Sequence, residues 1–279
     1  MTRLRNAFSV DVEDYFQVLA FEPVIKREQW PRYELRVRRN VELILDLMDE
    51  RRVQGTFFIL AWIAEREPEL VRQIAARGHE IASHGCMHDR VTTMTPEAFA
   101  QDLRTSKSLL EDLSGTEVIG YRAPSYSINA TNLWALPAIA EAGYRYSSSI
   151  YPGKHDLYGM PDAPRFPYKP LGEGFLEIPI TTVEIAGRRL SCGGGGFFRL
   201  WPYRLFRACV RRVNERDGQS AVFYMHPWEV DPGQPRISDA PLRSRFRHYL
   251  NLEHVVPRLR RLLADFSWDR MDRVYGLRT

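Results

Sequence analysis

The chain has 279 residues, of which 44% are hydrophobic and 27% charged. That is ordinary globular composition and excludes a disordered chain. A chain this long buries about three-quarters of its unfolded surface, so it needs neither a disulfide nor a metal simply to fold. No run approaches about 18 apolar residues, so no transmembrane helix is expected. The N-terminus, MTRLRNAFSVDVEDYF, lacks the apolar core of a signal peptide, which predicts a cytoplasmic protein. Three widely spaced cysteines, Cys86, Cys192 and Cys209, suit a reducing compartment. The net charge is +4. Nine arginines beyond residue 240 face only four acids there. This stripe reads either as a solvated helix face or as a surface for contact with a membrane. No zinc-finger spacing and no long Lys/Arg run points to nucleic acid.

In chain order, Ala7–Val12 (AFSVDV) predicts a buried strand, and Arg38–Arg52 a helix with Val41, Ile44, Leu45 and Met48 on one face. Gly55–Leu60 is a β-branched and aromatic strand. Pro68–Arg77 is a helix stopped by Gly78, and His79–Ser83 a strand. Thr95–Ser114 is a helix with Thr95 as its cap, Pro96 opening it and Gly115 just beyond its end. Val118–Arg122 is strand-like, Asn132–Glu141 a helix, and Gly143–Ser148 a strand. Residues 151–169 hold four prolines and read as an excursion loop. Phe175–Ile185 is extended, and Gly193–Gly196 reads as a mobile flap. Pro202–Glu215 is a helix, Ala221–Met225 a strand and His254–Asp265 a last helix. Alternating strands and helices predict parallel βαβ units, with ligands at the carboxyl ends of the strands.

Reactive groups collect at those ends. Asp11, Glu13 and Asp14 close the first strand, His84 and His88 follow HEIAS, Arg122 and Tyr126 follow VIGY, and His226 follows AVFYM. His84 and His88 are four apart, which on a helical turn puts both on one face as ligands for one ion. With a neighbouring carboxylate they form a His₂-carboxylate set suited to a catalytic divalent metal. One acid of the cluster could hold the metal while another serves as general base. Arg122 would pair with a carboxylate and orient it. His226 is a candidate general acid.

The order of acid cluster, H-x-x-x-H, R-x-P-x-Y and late aromatic-x-His resembles the polysaccharide deacetylase family, also known as the NodB homology domain or carbohydrate esterase family 4. FSVDVEDYFQV, YRAPSYSI, CGGGGFFRLWPY, FYMHPWEVDP and RFRHYLNLEH look like the subgroup found in exopolysaccharide gene clusters linked to exosortase and PEP-CTERM sorting. The resemblance spans nearly the whole chain. It implies a distorted (β/α)7 barrel of parallel strands over residues 1–240, with an Arg-rich helical extension over 241–279 packed on it. It implies metal-dependent N-deacetylation of an N-acetylglucosamine polysaccharide, with one Zn²⁺, or Co²⁺ or Ni²⁺, bound.

Carried over by residue, the resemblance makes Asp11 the general base and His84 and His88 metal ligands. Arg122 orients the base, His226 is the general acid, and the Tyr126 backbone serves an oxyanion hole. The third ligand is Glu13 or Asp14; strand alternation puts Glu13 on the side of Asp11. Ser147 stands where many relatives have an acid, so Glu177 and Glu229 are the candidates to tune His226. Pro124 lies in the R-x-P-x-Y turn as a substrate contact. Tyr151, Tyr158, Phe197, Phe198 and Trp201 could stack on sugar rings or fill the core. The competing readings are a catalytically inactive carbohydrate-binding barrel and a metal-independent amidohydrolase.

Overall fold

The computed structural model of the protein describes residues 4–155 and 158–278. The first strand, β1 (Arg5–Val12), leads through a long loop to helix α1 (Val37–Asp49). Then come β2 (Thr56–Ile59), α2 (Ala61–Arg66), α3 (Pro68–Ala76), β3 (Glu80–Ser83) and α4 (Pro96–Ser114). Next are β4 (Gly120–Tyr121), α5 (Ala135–Glu141), β5 (Tyr146–Ser147) and β6 (Leu176–Glu177). A hairpin follows, β7 (Thr182–Ile185) and β8 (Arg188–Ser191), and then α6 (Gly195–Leu200) and α7 (Tyr203–Glu215). The chain closes with β9 (Val222–Met225), α8 (Leu242–Tyr249), α9 (Val255–Asp265), β10 (Ser267–Asp269) and α10 (Met271–Val274).

Local chemistry sets several of these boundaries. In α4 the Thr95 side chain accepts from Ala98 N at 3.2 Å, Pro96 opens the helix, and Gly115 ends it at φ +65°.

Seven strands run in the order β6-β5-β4-β3-β2-β1-β9, every pair parallel, as a curled α/β sheet. The expected seven-stranded parallel barrel is therefore the fold. It is distorted between β6 and β9. There Tyr224 N donates to the Gly193 carbonyl at 2.7 Å and Val222 N to Thr181 Oγ1 at 2.6 Å. The glycine run expected as a mobile flap is instead part of this seam. Gly193, Gly194 and Gly195 are buried, because any Cβ at 193 or 194 would collide with β9. An eighth strand, β10, pairs with the first residues of β1. Residues 241–279 were expected as a helical extension, and β10 is a strand within it that the sequence pattern did not reveal.

Alternation along the strands separates two environments. Phe8, Val10 and Val12 of β1 face the helices, where Phe8 packs against Phe223 and Trp268. Ala7 faces inward with Phe58, Ala82, Tyr146 and Ile180. Ser9, Asp11 and Glu13 share the parity of Ala7 and reach the site at the carboxyl end.

Candidate active site

Glu13, His84 and His88 bring one ligand atom each within 4.8 Å of one another. His84 follows β3 directly. Its Nδ1 lies 2.7 Å from the Arg122 carbonyl oxygen. A carbonyl only accepts, so Nδ1 carries the proton and Nε2 keeps its lone pair, the tautomer a metal ligand needs. Burial depresses its pKa to about 4, which keeps the ring neutral. The expected helical turn from His84 to His88 is not present. The chain bends instead, with left-handed residues at Gly85 (φ +75°) and His88 (φ +55°). A positive φ is uncommon outside glycine, and here it swings His88 back toward Glu13.

Glu13 Oε2 lies 2.8 Å from His88 Nε2, yet it is buried without a hydrogen bond of acceptable geometry. Two ligand atoms that crowd together without bonding are what a cation between them would explain. The residues present therefore fit a divalent metal. Burial would raise the Glu13 pKa, but the neighbouring His88 and His226 charges outweigh it and hold it down at about 2.

Asp14 is not brought to this cluster. Its Oδ1 accepts from Tyr15 N at 2.8 Å, and its Oδ2 from Arg36 N at 2.7 Å and Val37 N at 2.9 Å. Asp14 thus anchors the N-terminus of α1, where backbone N–H groups lack helical partners. Of the two acids left open by the sequence, Glu13 is the one beside the histidines.

Arg122 is fully buried and spans the site. Its Nη1 donates to Asp11 Oδ1 at 2.5 Å and to Ser9 Oγ at 2.9 Å. Its Nε reaches the Ser148 carbonyl, and its Nη2 the Ser148 hydroxyl at 3.0 Å. The guanidinium lies 4.0 Å from the centre of the Phe58 ring. One residue thus orients both the candidate base, through its side chain, and a metal-type histidine, through its carbonyl.

His226 lies opposite, with Nε2 3.5 Å from Glu13 Oε1. Its Nδ1 and its backbone N both contact Glu229 Oε1 at 3.0 Å. Glu229 Oε2 accepts from Arg199 Nε at 2.7 Å. Burial alone would lower the His226 pKa, but the Glu13 and Glu229 carboxylates raise it to about 9. The ring stacks on Trp228 with centroids 5.2 Å apart. Glu177, the other candidate partner, instead accepts from Ser149 N and Ile150 N. Sequence reasoning missed Arg199. It sits on a one-turn-and-a-half helix after the glycine run, and the only local signal was Gly195, where a Cβ would overlap the Glu229 carboxylate.

The remaining expected residues divide. Pro124 starts a buried helical turn, Pro124–Tyr126. Tyr126 N donates to the Ala123 carbonyl at 3.1 Å, so an oxyanion would have to share that N–H. Tyr151 and Phe198 are buried core residues. Phe197 and Tyr158 line a cavity together with Trp228, on which His226 stacks, while Trp201 packs edge-on against Phe197 at 5.9 Å.

The polysaccharide deacetylase family model matches residues 31–147, and a domain of unknown function (DUF3473) matches 148–276. Residues 31–147 thus match the polysaccharide deacetylase family. The first match carries His84, His88 and Arg122, the second carries His226, and Asp11 and Glu13 precede both. It is 27% identical to a chitooligosaccharide deacetylase of Bradyrhizobium sp. (strain ANU 289) over 41% of this chain and 64% of the relative. It is 29% identical to a peptidoglycan-N-acetylglucosamine deacetylase of Bacillus cereus over 37% of this chain and 46% of the relative. The chain spans from about a third to just under two-thirds of the curated relatives it matches.

Among solved structures, a "probable polysaccharide deacetylase" from Pseudomonas aeruginosa PAO1 superposes with TM-score 0.64 at 17% identity, covering 98% of this chain and 90% of that one. An allantoinase superposes with TM-score 0.60 at 14% identity, covering 98% and 89%. At these identities the likeness is one of fold, and the chemistry rests on the site.

Proposed function

We propose that the chain is a metal-dependent polysaccharide N-deacetylase that releases acetate from N-acetylglucosamine units of an exopolysaccharide or its precursor. The single observation behind this reading is the convergence of Glu13, His84 and His88 between an Arg122-held carboxylate, Asp11, and an acid-held imidazole, His226. The deacetylase relatives support the same substrate class. Glu13, His84 and His88 would hold the divalent ion, Zn²⁺ before Co²⁺ or Ni²⁺, and it would supply Lewis acidity toward the acetyl carbonyl and the attacking water.

The protein's own groups divide the proton work. Asp11 takes a proton from the water that attacks the acetyl carbon. Arg122 holds that carboxylate in place and keeps its charge tolerable in a buried setting. His226, whose Nδ1 is held by Glu229, gives its proton to the sugar nitrogen as the C–N bond breaks. Acetate and a free amine result.

The test is acetate release from N-acetylglucosamine oligomers, before and after Zn²⁺ or Co²⁺ is added to metal-stripped protein, beside Asp11→Asn. Metal-dependent release that vanishes in the variant supports the reading. One equivalent of bound metal without release from any N-acetylated oligosaccharide overturns it in favour of a carbohydrate binder. Release without metal overturns the metal assignment.

A further inference from the structure

A cavity of about 300 Å³ adjoins the cluster of Glu13, His84 and His88, at the lower end of the roughly 300–1,000 Å³ span of small-ligand sites. His88, whose Nε2 faces Glu13, is part of its wall. The lining comes from two stretches of chain, 16–30 in the loop between β1 and α1 and 88–93 beyond β3, and every residue of both is described. Two ion pairs join one stretch to the other. Arg27 Nη1 meets Asp89 Oδ1 at 2.6 Å, and Arg90 Nη2 meets Glu22 Oε1 at 3.4 Å.

Gln17 gives the wall a donor. Asp14 N donates to its Oε1 at 2.8 Å, and Gln17 N donates to the Asp14 carbonyl at 3.0 Å. A backbone N–H can only donate, so the first bond fixes which end of the amide is oxygen and which is nitrogen. Nε2 is buried and has no hydrogen-bond partner among the described residues. Buried donors are almost always paired, so one left unpaired in a cavity wall calls for an acceptor that enters the cavity.

The charges narrow what that acceptor is. Glu22 and Asp89 are matched by Arg27 and Arg90, and each guanidinium is already paired. A carboxylate or phosphate would meet two acids here and, among the described lining residues, no uncommitted arginine. A neutral sugar unit avoids that conflict. Its hydroxyl groups donate to carboxylates and accept from an amide N–H alike.

We propose that this cavity is a second sugar subsite, which takes a neutral unit adjacent to the N-acetylglucosamine being deacetylated and receives a hydrogen bond from Gln17 to that unit. The proposal rests on the deacetylase reading and narrows its substrate to uncharged chains of two or more units.

The experiment separates binding from turnover. Tetraacetylchitotetraose and N-acetylglucosamine are titrated calorimetrically into Asp11→Asn protein supplied with Zn²⁺, in which neither is consumed. The tetrasaccharide should bind about tenfold more tightly. Gln17→Met in the same background should remove most of that advantage, since one hydrogen bond is worth about tenfold. Thr93→Trp, at an exposed position of the lining, should fill the cavity and remove the advantage as well. It keeps the test decisive if Gln17→Met loosens the turn at Asp14. A hyaluronan tetrasaccharide, in which N-acetylglucosamine alternates with glucuronic acid, should bind no better than N-acetylglucosamine.

Equal affinity for tetraacetylchitotetraose and N-acetylglucosamine overturns the proposal, as does an advantage that survives both substitutions. An equal advantage for the hyaluronan tetrasaccharide overturns the assignment of a neutral unit. Acetate release by the wild-type protein without any advantage of chain length removes the subsite and leaves the deacetylase. An advantage lost in Gln17→Met, with no acetate release by the wild-type protein from any N-acetylated sugar, supports the subsite and removes the deacetylase reading.

Discussion

Two buried arginine–carboxylate pairs flank the site, and they are built alike. Arg122 meets Asp11 at 2.5 Å and Arg199 meets Glu229 at 2.7 Å, all four side chains almost wholly out of solvent. The difference lies in the second carboxylate oxygen. Glu229 spends its other oxygen on the His226 ring and backbone. Asp11 receives Arg122 on Oδ1, and no hydrogen bond reaches its Oδ2 among the described residues. One pair is therefore closed and holds an imidazole, while the other keeps an acceptor in reserve. Identical ion-pair chemistry serves two tasks according to what remains unbonded.

The largest expected effect comes from opening the first pair. Arg122→Leu leaves the Asp11 charge buried without its partner, which costs about 3–5 kcal/mol. Urea unfolding should register that loss, and acetate release should vanish with it. Asp11→Asn tests the reserved acceptor alone. Turnover should fall by about 10²–10⁴-fold, the usual worth of a general base. Metal content measured by atomic absorption should stay at one equivalent.

Ser148→Ala is a milder probe of the same pair. It strips one hydroxyl acceptor from Arg122 Nη2, and a buried charged donor left short costs about 1–3 kcal/mol. The midpoint of urea unfolding reads this, while the Ser148 carbonyl still receives Nε.

The smallest effect sharpens the closed pair. In metal-free protein the His226 pKa is raised from 6.5 to about 9. A raised folded-state value means that its stabilising contribution is complete below about pH 6.5 and fades as pH rises through about 9. Glu229→Gln removes one of the three carboxylates behind the shift, Glu13, Glu229 and Asp11, so the midpoint of the His226 NMR titration should move down. Stability should then fade at a lower pH. An unchanged midpoint would assign the shift to Glu13 and Asp11.

The same contrast explains what the sequence could disclose. Asp11, His84, His88, Arg122 and His226 each sit at a strand end, and strand ends announce themselves through apolar runs that stop at a polar residue. Period-two alternation also favoured Glu13 over Asp14, and the structure puts Asp14 under the first turn of α1. Arg199 carried no such mark, because its task depends on Gly195 and on a glutamate thirty residues later. The bend between His84 and His88 depends on two left-handed residues, which spacing alone cannot distinguish from a helical turn. β10 was hidden because three residues, SWD, make no periodic pattern, and the partner they pair with is at the opposite end of the chain. The fold was legible through local period, whereas the support around the site depends on long-range contact.

That last strand has a consequence for how the protein matures. Just beyond β10, Met271 N donates to Thr56 Oγ1 at 2.8 Å, and Met271 Sδ lies 3.8 Å from Arg122 Nη2. The surroundings of the arginine that holds Asp11 are therefore finished by one of the last parts of this sequence to be translated. A nascent chain paused anywhere before residue 271 can pair its early strands but leaves that arginine incompletely enclosed. Assembly of the reactive centre is thereby deferred until translation has passed almost the whole sequence.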